Sequence, residues 1–563
     1  MRSLLILVLL ASSCCAQVAP LPAWNSQSLN AWWDAHPTPE QWPQAVDELK
    51  GQLAGAYDKN KERCFSDPDF NGWLQHLQWV IAGLQAHTLL ENPQALQTFI
   101  TLGKSETVSQ LFVKNLSPKD HTSEALSILI RIAQTAHADL NEFPALAVAY
   151  SLVFDQPFPR NWPHSQVEQK AVPLGDPDPV QRFNYYVQAS RNKKTEFDLS
   201  KLGFEELKYL VDCPLQLSEL DYGAKNHISH SRFGEAFFSI KYDEERYKSA
   251  TYSWQLPSYR LQDIEKNGGI CVDQAYYAAI LGKARGIPTL YFHGEGSDGG
   301  HAWFGYLEHP GKWQTDCGRY ASQNYPIGYA IDPQTWTTIN DSQLENLVKS
   351  ANLNPNYAPA KAALVWAKLN ENSPLCRQIY EDARTLMPAL GEIWQSEGAW
   401  LEANNAPLED RKKFYGDWIH QFLYNRDLKV EGQKQLAALL KQSGDPEGDK
   451  LEHAILAENR SKRFDLAINA GAGALAEKLE AKDWKNAEQE YKKLVRKFEQ
   501  QGGGNLFYAV VQPYVKTCIE EEQYDLAQEG LKYAEKRMPL SQDSIISREF
   551  DTLSDDIKKA RAK

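Results

Sequence analysis

Residues Asn267–Pro288 read NGGICVDQAYYAAILGKARGIP, and a short way on His301–Leu307 read HAWFGYL. Apolar or small residues fall at Val272, Ala275, Tyr276, Ala279 and Ile280, and Gly286-Ile287-Pro288 stops the pattern. That spacing predicts a helix opening at Cys271. Gly268 and Gly269, just before it, let another backbone approach closely. A cysteine there faces unpaired N–H groups and the positive end of the helix dipole, which favour a thiolate and can hold an oxyanion. Thr289–His293 (TLYFH) reads as a strand, GEGSDGG as a turn, HAWFGYL as a second strand, and Lys312–Cys317 (KWQTDC) as a third. With Glu308–Gly311 as the hairpin loop, Leu307 faces Lys312 and Asp316 lies opposite Trp303, on the face of His301. From there its carboxylate would fix the imidazole tautomer and steady the cation. An odd register would put the two groups on opposite faces.

The order Cys271, then "ARGIP", then His301-Ala302-Trp303, then Trp313 and Asp316 resembles the core of the transglutaminase-like superfamily, whose domains are similar to papain-like cysteine peptidases. The resemblance covers roughly Gln255–Asp332. It implies an α+β core in which a helix opened by the cysteine packs on antiparallel strands carrying the histidine and the aspartate. It also implies the roles: Cys271 as nucleophile, His301 as general base and later acid, Asp316 as orienting carboxylate. Two departures matter. Asp316 is followed by Cys317-Gly318 rather than the family's usual Pro and Thr, which leaves Asp332, in an Asp-Pro pair, as a rival third member. The oxyanion donor, which in the family precedes the cysteine, falls to Trp254 or Gln255. His293, Glu295 and Asp298 read as ordinary turn and strand-end residues.

Around this core the pattern is helical. Residues 17–153 form an N-terminal helical domain, with apolar stripes in Trp73–Leu90 and Glu124–Leu140. His76, His87 and His137 fall on or near these helices as exposed or satisfied polar residues. A Pro- and Asp-rich connector fills 154–180, and the core with its lead-in spans 181–342. His227 and His230 lack the companions a metal site requires. From 343 to 563 the chain reads as helical hairpins. Pro374–Pro388, Asn486–Gln500 and Asp525–Pro539 superpose with Cys376, Ala487 and Ala527 as the small position, in a degenerate tetratricopeptide-like manner.

Residues 1–16 follow the order of a secretory signal: Arg2, an apolar run from Leu4 to Ala11, then small residues to Ala16. A secreted or periplasmic protein is expected, with a lipid anchor through Cys14 or Cys15 as the alternative. No later stretch is apolar for long enough to span a membrane. A formal net charge of -13 argues against nucleic-acid binding. Cys64, Cys213, Cys271, Cys317, Cys376 and Cys518 remain after the leader, too few for a disulfide scaffold. Asn115, Asn340 and Asn459 stand in glycosylation sequons. No metal or other cofactor is implied, and no acidic loop suits calcium.

Two functions follow as expectations. The first is a cysteine enzyme that cleaves or transfers amides through a thioester, on a protein or peptide substrate that includes cell-wall peptide as a candidate. The second is a catalytically silent scaffold binding peptide or cell wall, with a protein partner on the C-terminal array.

Overall fold

The computed structural model describes residues 19–61, 63–175, 178–345, 354–541 and 544–562. The expected leader, residues 1–16, lies outside them, as do Cys14 and Cys15. The chain divides into two compact units, 1–114 and 115–563. The first is all helix, built from Ser26–Ala35, Trp42–Lys59, Pro68–Gln85 and Pro93–Lys104 around Trp33, Trp42, Trp73, Trp79 and Phe99. His76 sits in that core, ringed by four tryptophans, with Nε2 unpartnered, so burial holds it neutral with a pKa pushed down to about 3. It is therefore neither exposed nor fully satisfied.

The second unit is a mostly helical body around one antiparallel sheet. The strands are β1 (Thr289–Gly296), β2 (Gly299–His309), β3 (Lys312–Cys317), β4 (Tyr329–Asp332) and β5 (Thr337–Asn340). They lie in the order β3-β2-β1-β4-β5. An α+β arrangement with helical flanks is thus what the chain adopts.

The Cys271 helix (Cys271–Ala284) packs on β1 and β2. Every residue from Val272 to Ala284 is buried, so the helix is enclosed all round rather than amphipathic. Its polar groups must then find partners inside. Lys283 does so, bonding the carbonyls of Tyr209 (2.5 Å) and Thr289 (2.9 Å) and the carboxylate of Asp212. The glycine pair before Cys271 meets a neighbouring chain as its composition suggests. Gly268 takes φ +80°, and Gly269 exchanges hydrogen bonds with Lys241 and Asp243 (3.0 Å each).

The hairpin between β2 and β3 corrects the expected register. His309 pairs with Lys312, so the loop is Pro310-Gly311 and not Glu308–Gly311. Gly311 at φ +79° after a proline is the chemistry of a tight two-residue turn. A register shift between Leu307 and His309 then sets Leu307 opposite Trp313. Between the pairs Tyr306–Gln314 and Phe304–Cys317 a β-bulge adds a residue to β3 at Thr315–Asp316.

C-terminal to the sheet the chain runs through helical hairpins from Tyr357–Leu369 to Ile545–Arg561. The superposed positions Cys376, Ala487 and Ala527 are all fully buried, as are Ala383, Leu494 and Ala534 seven residues on. Asn340 and Asn459 are buried at 6% and 4% exposure, which removes two of the three sequons as accessible acceptors. Among the described residues no helix is long and apolar enough to cross a membrane.

Candidate active site

A pocket of about 1040 Å³ opens between the sheet, the Cys271 helix and the segments flanking them. Cys271 and His301 both line it. The backbone N–H groups of Ala302, the residue after His301, of Val272 and of Cys271 itself lie close enough to Sγ to draw its pKa down. These donors favour a thiolate, as expected for a helix N-terminus. Burial and the neighbouring Asp273 oppose them, and burial dominates, pushing the thiol up to about 11. The resting side chain is a thiol, contrary to the expectation drawn from the helix dipole alone.

His301 is 8% exposed, with Tyr320 stacked on it at 4.6 Å and Tyr325 at 5.6 Å. Its Nε2 lies 2.7 Å from the carbonyl of Gly318. A carbonyl only accepts, so Nε2 carries the proton and Nδ1 keeps its lone pair. Burial lowers the imidazole pKa and outweighs this hydrogen bond. The resting histidine is a neutral base.

Asp316 does not hold His301. The bulge leaves its side chain 67% exposed, paired with Arg319 at 2.8 Å. The Gly318 carbonyl stands where the resemblance expected a carboxylate. Gly318 adopts φ +93°, and a Cβ there would lie 2.6 Å from the Phe237 ring, so only glycine makes this turn. The signal was present in the sequence, since Cys317-Gly318 is where the chain leaves the family pattern. Asp332, the rival, is also elsewhere: it pairs with Lys208 at 2.8 Å and accepts the N–H of Gln334 at 2.9 Å.

Trp254 and Gln255 line a separate depression together with Ser253, Leu256 and Pro257. The Trp254 indole N–H donates to the Ser258 carbonyl at 2.9 Å, so it has no proton to offer at Cys271. No family model, curated protein or solved structure matches this chain.

Beneath Cys271 lies a buried relay that the sequence reading missed. Asp273, 0% exposed, accepts the N–H of Ile270 at 2.8 Å, the hydroxyl of Tyr259 at 2.8 Å and Arg246 at 2.7 Å. It is the third residue of the helix and reaches back to the N-cap backbone, as in a capping box. Tyr259 donates its hydroxyl to the carboxylate, so its oxygen accepts from His164 Nε2, 2.9 Å away. His164 Nδ1 then accepts the N–H of Gln166 at 3.3 Å, which fixes a neutral imidazole. Burial agrees, pushing His164 down to about 3. The Val272-Asp273 step at the helix start was the available signal.

Three further residues, read from sequence as turn and strand-end positions, line the pocket: His293, Glu295 and Asp298. So do Asn161 and Pro163 to Gln166 of the proline-rich connector, and Tyr508, Ile545 and Glu549 of the C-terminal hairpins. Cys213, Cys271, Cys317, Cys376 and Cys518 are free thiols. Cys317 pairs opposite Phe304, on the strand face away from His301, so it forms no bridge to Cys271.

Proposed function

We propose that the chain is a cysteine-dependent amide hydrolase or acyl transferase with a transglutaminase-like core, acting through a Cys271–His301 dyad. The observation that carries this reading is His301 in one pocket with Cys271, its Nε2–H held by Gly318 so that Nδ1 is free to take a proton. Because thiol and imidazole are both neutral at rest, the proton leaves Cys271 for His301 as sulfur attacks the amide carbon. A C–S bond forms, the carbonyl becomes an oxyanion, and backbone N–H groups at the helix start are the nearest donors for it. Collapse breaks the C–N bond, and the imidazolium returns its proton to the leaving amine. Water or a second amine then resolves the thioester. The secreted or periplasmic setting belongs to the same proposal.

The test is trapping. Full-length protein incubated with peptide amides is quenched in acid, and intact mass plus peptide mapping locates any acyl adduct. An adduct on Cys271 that is absent from Cys271→Ser and His301→Ala supports the enzyme. Tight peptide binding with no adduct and no turnover supports the silent scaffold. That second reading draws on Asp316 facing solvent and on the raised thiol pKa.

A further inference from the structure

The pocket wall holds buried hydrogen-bond acceptors that nothing in the chain satisfies. Among its lining residues three buried side-chain atoms lack a partner, Gln166 Oε1, Gln274 Oε1 and Glu295 Oε2, and all three are oxygens. Gln274 is decisive because its orientation is fixed. Its Nε2 donates to the Ile240 carbonyl at 2.9 Å, the residue is 3% exposed, and its Oε1 is buried without a partner in a residue that lines the pocket. Glu295 as a carboxylate is an acceptor only. An unpaired buried acceptor is costly, so a ligand that supplies donors gains what each oxygen lacks.

Charge points the same way. Glu244, Glu295, Asp298 and Glu549 line the pocket against one lysine, Lys241. Among the described residues, Glu295, Asp298 and Glu549 have no ion-pair partner. Arg548, the nearest cation on the C-terminal helix, is turned to the Tyr247 carbonyl and ring. Tyr508 and Glu549 line the same pocket as Glu295, so the C-terminal hairpins share its wall with β1. That joint is built rather than accidental. Asn505 Nδ2 donates to the Glu295 carbonyl at 2.6 Å, and Gly504 packs directly beneath the Glu295 carboxylate. Gly502–Asn505, the GGGN run, thus docks the C-terminal hairpins onto the β1–β2 turn.

We propose that this pocket recognises a basic side chain of its peptide substrate, a lysine ammonium or arginine guanidinium seated between Glu295, Asp298 and Glu549. Gln274 Oε1 accepts an N–H of the same peptide. The C-terminal hairpins then act as a wall of the specificity site, contributing Tyr508 and Glu549. This rests on the pocket being the substrate site, and not on whether Cys271 turns over.

The test is calorimetric binding to the full-length Cys271→Ala protein, which removes chemistry from the readout. The probes are a lysine-containing hexapeptide amide and the same peptide with norleucine in place of lysine. The lysine peptide should bind roughly tenfold or more tightly, the size expected of one charge-assisted hydrogen bond. The advantage should fall in Glu295→Gln and, independently, in Glu549→Gln, a half-exposed helix position that folding tolerates. Equal binding of the two peptides, or an advantage unchanged in both variants, overturns the cation subsite while leaving the cysteine reading intact. Selective lysine binding with no adduct on wild-type Cys271 leaves the subsite standing and sinks the enzyme. Binding of neither peptide overturns both.

Discussion

Replacing Asp273 by leucine removes the acceptor at the foot of the Cys271 helix. Three donors lose an acceptor at once: the Ile270 N–H, the Tyr259 hydroxyl and Nη1 of Arg246, a side chain only 10% exposed that keeps the Thr251 and Tyr252 carbonyls. Stranding one member of a buried ion pair destabilises by about 3–5 kcal/mol. Arg246→Met strands the carboxylate instead, at 0% exposure, and falls in the same range of about 3–5 kcal/mol. The intact pair is itself no large net stabiliser. Burial outweighs Arg246 and the hydrogen bonds and holds Asp273 above the usual carboxylate range. The double variant Arg246→Met/Asp273→Leu should therefore fall well short of the sum, with a coupling of roughly 1–3 kcal/mol. Hydrogen exchange read by mass spectrometry on peptides covering Ile270–Ala284 is the assay, because opening of this helix exposes those amides. Either single change should speed exchange by roughly two to three powers of ten, and the double by much less than their product. Additive losses, or a single variant that exchanges like the wild type, would refute the claim that this carboxylate anchors the helix start.

Four other outcomes follow from the geometry. Alkylation of Cys271 by iodoacetamide should rise about tenfold per pH unit between pH 8 and 10 with no plateau, because thiolate is the reactive form and burial places its pKa at about 11; a plateau below pH 8 would contradict this. Gly318→Ala, forced into φ +93° against Phe237, should destabilise by about 1–3 kcal/mol and lower acylation while peptide binding to the folded fraction persists. Asp316→Asn should leave acylation within about twofold of wild type, since its only role is an exposed pair with Arg319 of the kind worth about 0–1 kcal/mol; a hundredfold loss would restore the triad. Burial pushes Glu295 up to about 7, so its charge appears as pH rises, and lysine-peptide affinity should increase several-fold from pH 6 to pH 8. Asp298, Glu549, Tyr325 and Tyr508 face the same carboxylate, and Glu295→Gln should flatten the rise.

The local pattern around Cys271 was legible because helix starts and strand alternation are written in nearest neighbours. Gly-Gly before the cysteine, Gly-Ile-Pro after the helix and a three-strand run with His301 in the middle all stand in the structure. The buried superposed positions of the C-terminal hairpins belong to the same class, since a helix stripe is a property of its own sequence. The environment of the site was not legible in this way. One extra residue at Thr315–Asp316 turned a carboxylate to solvent and brought a glycine carbonyl to His301; Cys317-Gly318 marked a departure there, but the bulge itself is a matter of pairing with the neighbouring strand. The pKa of Cys271 depends on how much protein surrounds it, which the helix dipole alone cannot tell. The pocket wall gathers residues from near 164, 242, 301 and 549, separate stretches of the chain. Sequence determined which groups begin a helix and which alternate along a strand. Only tertiary packing, through burial and long-range register, decided which of them meet and in what charge state.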